Sequence, residues 1–151
     1  IDTAYPYHNG LSEPLVGRAL KNYDRNSLYL ATKLPIWAVD SKEKALEIAQ
    51  LMIDFKGENV SVIDVSQLNS WTDYFIIVTI NSSSHWKGLY KQVKDYVKEN
   101  DLQIHVPNRK TPDGDDWNLI DVGNIVVHLM SQEARDFYDL EKLWHAGEKL
   151  L

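Results

Sequence analysis

Four of the five histidines, His85, His105, His128 and His145, lie where helices and strands are readable, and they are the first side chains to test for chemistry. None stands in an HExxH spacing, which would put two imidazoles on one helical face around a metal with a glutamate as general base. His128 lies in an apolar run with no readable partner group. A hydrogen-bonded structural or interface histidine fits that setting better than a general base, which needs such a partner. The sequence contains no cysteine, so disulfides, thiolate metal sites and thiol nucleophiles are excluded together. There is no GxSxG elbow and no glycine-rich phosphate loop. The hydroxyl-rich run at 81–84 either caps a helix or offers backbone donors to a phosphate, and the missing GxxxxGK[ST] pattern favours capping. Asp113, Asp115 and Asp116 invite calcium, but no glutamate follows at EF-hand spacing, so a solvated loop is favoured. The sequence therefore predicts no metal and no cofactor.

Contact chemistry is better represented. Residues 117–122 and 125–130 are β-rich runs around Gly123 and Asn124, a pair that suits a tight hairpin turn. A two-residue turn sets Val122 opposite Ile125 and Trp117 opposite Met130. Alternation then gives an aliphatic core face of Asn118, Ile120, Val122, Ile125, Val127 and Leu129. The other face carries Trp117, Leu119, Asp121, Val126, His128 and Met130. Its aromatic, carboxylate, imidazole and thioether groups among aliphatics are the composition of a protein-binding patch, with burial in the core as the alternative. A second candidate is a lysine stripe, Lys87, Lys91, Lys94 and Lys98, at i, i+4, i+7 and i+11 of a helical pattern. It is either a solvated face or a local contact with a polyanion such as RNA.

The elements that position these groups follow from periodicity. Ser12 caps a helix whose stripe is Leu15, Val16, Ala19 and Leu20, and a short strand covers 27–32. A second helix covers 42–55, capped by Asp40 or Ser41, with Ala45, Ile48, Ala49, Met52 and Ile53 on one face. Residues 60–65 form a strand. Residues 73–80, apolar on both faces, form a central strand that needs cover on each side. Trp86, Leu89, Tyr90, Val93, Tyr96 and Val97 mark a third helix, and 103–106 a short strand. Ser131 starts a last helical segment whose Ala134, Phe137, Leu140 and Leu143 cover the sheet.

The chain has 151 residues, is 44% hydrophobic and carries a net charge of −6, which allows one full core with an appendage and argues against a general nucleic-acid coat. Arg18, Lys21, Arg25 and Lys33 balance Asp2, Glu13, Asp24 and Asp40 in residues 1–41, so the acidic excess lies in 42–151. No apolar run reaches the length of a membrane span and no signal peptide is readable, so a soluble cytoplasmic protein is expected.

Two resemblances divide the chain at the same place. In residues 1–41, Asp2, Thr3, Ala4, Tyr7, Ser12, Glu13, Gly17, Leu20, Ala31, Thr32 and Lys33 resemble the early barrel motifs of aldo-keto reductases. That likeness implies a partial β/α appendage, with Tyr7 as acid tuned by Lys33 and Asp2, and an alternative function as an NADPH-dependent oxidoreductase. About 41 residues cannot close a barrel that typically takes ~250, so a fragment without a cofactor pocket is expected. Over residues 42–147, Asp73-Tyr74-Phe75, Asn81 to His85, Asp116-Trp117, Asp121, Gly123, Val126-Val127-His128 and the run Phe137 to Trp144 resemble the ribosomal silencing factor, or Iojap, family. The resemblance implies a compact α/β domain with a mixed sheet flanked by helices, related in shape to nucleotidyltransferases but lacking their catalytic carboxylates. It also implies a non-enzymatic factor that binds the large ribosomal subunit through its ribosomal protein fourteen, blocks subunit joining and represses translation. A homodimer of the free protein is compatible with it. The sequence departs from the family at Asn124, commonly aspartate, and at Trp86, commonly a smaller aliphatic.

Overall fold

The computed structural model describes residues 1, 3, 11–31, 36–105 and 116–151. Two compact units divide it, Ile1–Asp40 and Ser41–Leu151.

In the first unit, α1 is Ser12–Ala19, and its N-cap position is Leu11, whose side chain has no oxygen to offer. Ser12 is not the cap: its hydroxyl hydrogen-bonds the Thr3 hydroxyl at 2.9 Å. None of the helix is buried: in the expected apolar stripe Leu15 and Ala19 are exposed and Val16 and Leu20 half-buried. Of the expected strand at 27–32, whose Thr32 lies outside the described residues, Ala31 alone among the described residues forms a β-bridge. Its N–H donates to the Ile1 carbonyl (2.8 Å) and its carbonyl accepts from Thr3 (2.9 Å). A 3-10 turn at Arg25–Ser27, tied by the Ser27 hydroxyl to the Asp24 carbonyl, takes up the start of the predicted strand.

The second unit is built on a five-stranded mixed sheet. Its strands are β1 (Glu58–Asp64), β2 (Tyr74–Ile80), β3 (Trp117–Asp121), β4 (Ile125–Ser131) and β5 (Glu148–Lys149), in the order β3-β4-β2-β1-β5. β2 and β4 are parallel and every other pairing is antiparallel. Every residue of β2 is buried, as its two-sided apolarity requires.

One face of the sheet is covered by α2 (Ile36–Asp54) and α3 (Ser83–Glu99). Ala45, Ile48, Ala49, Met52, Leu89, Val93 and Val97 meet Val62, Ile76, Val78, Ile120, Val127 and Leu129 in one continuous core. α2 begins earlier than expected because Ser41 is not a cap. Its buried hydroxyl receives the Asn124 side-chain amide at 3.3 Å. Ile53, at the edge of the apolar stripe, is 41% exposed. α3 starts where the hydroxyl run placed it, with the Ser82 hydroxyl accepting from His85 N–H at 3.1 Å, so this end of the helix is capped by its own side chain.

The opposite face is covered by two short helices, α4 (Gln132–Tyr138) and α5 (Leu140–Leu143). They are separate because Asp139 between them is left-handed, φ 43°. The break restarts the helical period. Ala134 and Leu140 are buried, but Phe137 and Leu143, expected to cover the sheet, are 82% and 68% exposed. The strand predicted at 103–106 appears as a single bridge from His105 to Asp121, Val106 lying outside the described residues.

Glycine is required by geometry at three positions, among them Gly147, where a Cβ would come within 2.6 Å of the Asp64 carbonyl oxygen. Gly123 opens the hairpin turn at φ +91°, and only this first turn residue takes a positive φ, the pattern of a type II′ turn. Gly57 joins α2 to β1, where a Cβ would come within 2.7 Å of Val78 Cγ1 and 2.8 Å of the Met52 carbonyl oxygen. Gly57→Ala should therefore lower stability by about 1–3 kcal/mol, as overpacking does. Chemical denaturation checks this, and an unchanged midpoint would refute the contact.

Candidate partner-docking surface

The hairpin register is the one the sequence implied. Trp117 pairs with Met130, Leu119 with His128 and Asp121 with Val126, and Val122 N–H donates to the Ile125 carbonyl at 2.8 Å. The role expected of that face needs correction. β4 is an interior strand between β3 and β2, so Val126, His128 and Met130 are buried at 4%, 5% and 0% exposure. Val126 and Met130 pack with Phe75, Ile77, Ala134 and Leu140 in the second core. Only the β3 half of the face reaches solvent. Leu119 is half exposed, and Trp117 and Asp121 are partly so. Asp121 is also occupied, its carboxylate accepting from Gly123 N–H at 2.8 Å, a local bond that fixes the turn.

His128 connects the buried half to the exposed half. Trp117 Nε1–H donates to His128 Nδ1 at 3.2 Å, which leaves the proton of the neutral ring on Nε2, an atom with no partner among the described residues. The imidazole sits edge-on to Phe75 at 4.8 Å. Burial holds its pKa down from the ordinary 6.5 to about 4, against a smaller upward pull from the Glu141 carboxylate. In this setting the ring serves as the hydrogen-bond acceptor of the Trp117 indole. Trp117 then packs on Tyr138 with centroids 4.6 Å apart, and Tyr138 on Phe137 at 5.0 Å. The result is an exposed apolar strip of Leu119, Trp117, Tyr138 and Phe137 running from β3 onto α4. Phe137 and Tyr138 were missed as site residues because helical spacing assigned Phe137 to the core. The signal that could have found them is the pairing of two adjacent aromatics, which cannot both face inward from one helix.

A polar cluster holds α4 and α5 to the same sheet face. Arg135 pairs with Glu141, and its guanidinium also reaches the Thr79 hydroxyl at 2.9 Å and the Ser61 hydroxyl at 3.4 Å. Burial pushes the Glu141 carboxyl up, but the hydrogen bonds and charge of Arg135, a backbone N–H and the Ser61 hydroxyl outweigh it and hold the group below its usual 4.5.

The lysine stripe is formed: Lys87, Lys91, Lys94 and Lys98 are all exposed on α3. It does not join the aromatic strip, because α3 covers one face of the sheet and α4 the other. Asp2, Tyr7 and Lys33 lie outside the described residues, as do Asp113 and Asp115.

The family model described as ribosomal silencing factor during starvation matches residues 38–150. The chain belongs to this family. It is 35% identical over 101 residues to the ribosomal silencing factor RsfS of Treponema pallidum, covering 66% of this chain and 88% of that one. It is 33% identical over 101 residues to the mouse protein named mitochondrial assembly of ribosomal large subunit protein 1, covering 64% of this chain and 43% of that one. A crystal structure of a Chromobacterium violaceum protein superposes with a TM-score of 0.61 at 31% identity, over 68% of this chain and 85% of the other. The silencing-factor fold thus occupies the second unit, and the reductase likeness of residues 1–41 is not borne out. No described helix is long and apolar enough to cross a membrane.

His128 makes this surface sensitive to acid. The unfolded imidazole takes its proton near 6.5 and the folded one only near 4. Its contribution to stability is therefore complete above pH 6.5 and is lost as pH falls from there towards 4. His128→Asn, which keeps an acceptor without a titrating group, should flatten the fall of Tm between pH 6.5 and 4. A fall as steep as in the parent would place the acid sensitivity elsewhere.

Proposed function

We propose that the Ser41–Leu151 unit acts as a ribosomal silencing factor by docking on the large ribosomal subunit through its ribosomal protein fourteen. Its bulk then obstructs joining of the small subunit and translation falls. The action is steric, with no catalytic step. The observation that carries the docking reading is the strip of Leu119, Trp117, Tyr138 and Phe137, a leucine beside three mutually packed aromatic rings, in a chain whose net charge is −6. Rigid, half-exposed aromatics are the usual anchors of protein interfaces, since they bury large area at little conformational cost. A large-subunit target also agrees with the name of the mouse relative. When the protein is free, the same strip is the surface on which two copies would pair.

Trp117→Ala should weaken binding to isolated large subunits by more than roughly tenfold, the loss typical of a central anchor. It should also reduce the chain's ability to prevent subunit joining in a sucrose gradient. Leu119→Asp, at a half-exposed position that does not enter either core, should do the same without lowering Tm. Wild-type binding by both variants would remove the strip from the interface.

The lysine stripe is assigned to a peripheral contact with ribosomal RNA. Each lysine that neutralises a phosphate releases a counterion and adds close to one to the slope of log K against log salt. Replacing Lys87, Lys91, Lys94 and Lys98 by glutamine should flatten that slope for large-subunit binding. An unchanged slope would leave the stripe as solvated surface.

A further inference from the structure

We propose that the cleft between β3 and α4 is a cage for one cationic side chain, arginine or lysine, of the protein on the large subunit that this surface meets. The proposal rests on the docking reading above and names the chemistry of its central contact. The cleft has a volume of about 320 Å³ and is lined by Asp116, Trp117, Glu133, Ala134, Phe137 and Tyr138, room for one long side chain and little more. Three of its walls are aromatic and differently inclined, Trp117 tilted 48° to Tyr138 and Tyr138 standing at 82° to Phe137. Ring faces are electronegative and attract a cation that lies over them. The two remaining polar walls are carboxylates. Asp116 and Glu133 are exposed, and neither carboxylate forms an ion pair or hydrogen bond with another described residue.

The nearest cation on α4, Arg135, is committed to Glu141, Thr79 and Ser61 and does not neutralise them. An apolar side chain entering the cleft would desolvate the two acids without a partner, and an anionic one would be repelled. A guanidinium or ammonium satisfies the carboxylates and the ring faces together. The cage is also set in advance, because the His128 acceptor fixes the Trp117 indole, so its walls need not be ordered at the moment of binding.

The test uses the intact chain and two probes, acetyl-arginine amide and its neutral isostere acetyl-citrulline amide. The Trp117 indole N–H resonance, identified by its loss in Trp117→Phe, should shift and saturate with the arginine probe at roughly millimolar concentration and not with citrulline. The shift should vanish in the double variant Asp116→Asn/Glu133→Gln. With isolated large subunits, Tyr138→Phe, which keeps the ring face, should bind like the parent, whereas Tyr138→Leu and the double variant should bind roughly tenfold more weakly. Equal shifts by the two probes, or parental affinity in Tyr138→Leu and the double variant, would overturn the cage. If the parent chain itself fails to bind large subunits, the partner named here is wrong, and an arginine-selective shift then shows that the ribosome reading failed and not the cleft chemistry.

Discussion

The strand Tyr74–Ile80 has no polar face to turn to water. All of its residues are buried, and a strand of that kind is stable only if its two neighbours complete the hydrogen-bond ladder and both sides of the sheet are covered. β1 and β4 complete the ladder. The two layers of cover are unequal. α2 and α3 are long and bring a large aliphatic core, whereas α4 and α5 are together only eleven residues and bring a small one. The second layer is finished by other means, an aromatic line from Trp144 through Phe75 and His128 to Trp117 and the Arg135 cluster over β1 and β2.

That cluster explains why buried hydroxyls occur in strands rich in Val and Ile. Ser61 and Thr79, 4% and 2% exposed, lie on neighbouring strands, Ser61 opposite Ile77 and Thr79 opposite Glu58, and both present oxygens to the Arg135 guanidinium. An arginine laid over an apolar sheet would be costly alone. Paired with Glu141 and hydrogen-bonded to both hydroxyls, it becomes a clamp that fixes α4 and α5 together despite the left-handed break at Asp139. Asp139 itself is the residue type that accepts such a conformation most readily after glycine and asparagine.

Much of this was legible in the sequence where a local rule decides. The Gly123-Asn124 pair sets an even turn and hence the whole β3–β4 register. The two-sided apolarity of β2 requires two helical layers, and Ser82 and Ser131 cap the helices that follow them. What was not legible depends on partners distant in sequence. The alternation of β4 correctly separates Val126, His128 and Met130 from Val127 and Leu129, but whether that face is surface or core depends on α4 and α5 folding back over it. Ser41 looked like a cap because its hydroxyl's acceptor role for Asn124, 83 residues away, has no local signature. Phe137 looked like core because the helical period was carried across a break that only the backbone angle at Asp139 reveals.

The unequal cover of the sheet also accounts for where the exposed aromatic strip lies. Eleven residues of helix cannot shield all five strands. The region left over is the outer part of β3, at the edge of the sheet and on the side of the smaller core. There the protein does not turn polar, as an uncovered sheet edge ordinarily must to avoid association. It places Leu119 and Trp117 on the open strand and extends them with Tyr138 and Phe137 from the helix. His128 then has one function on each side: its ring fills the second core against Phe75, and its Nδ1 holds the indole that reaches the surface. The packing of the small layer and the orientation of the exposed indole therefore both involve the same imidazole, whose burial keeps it neutral.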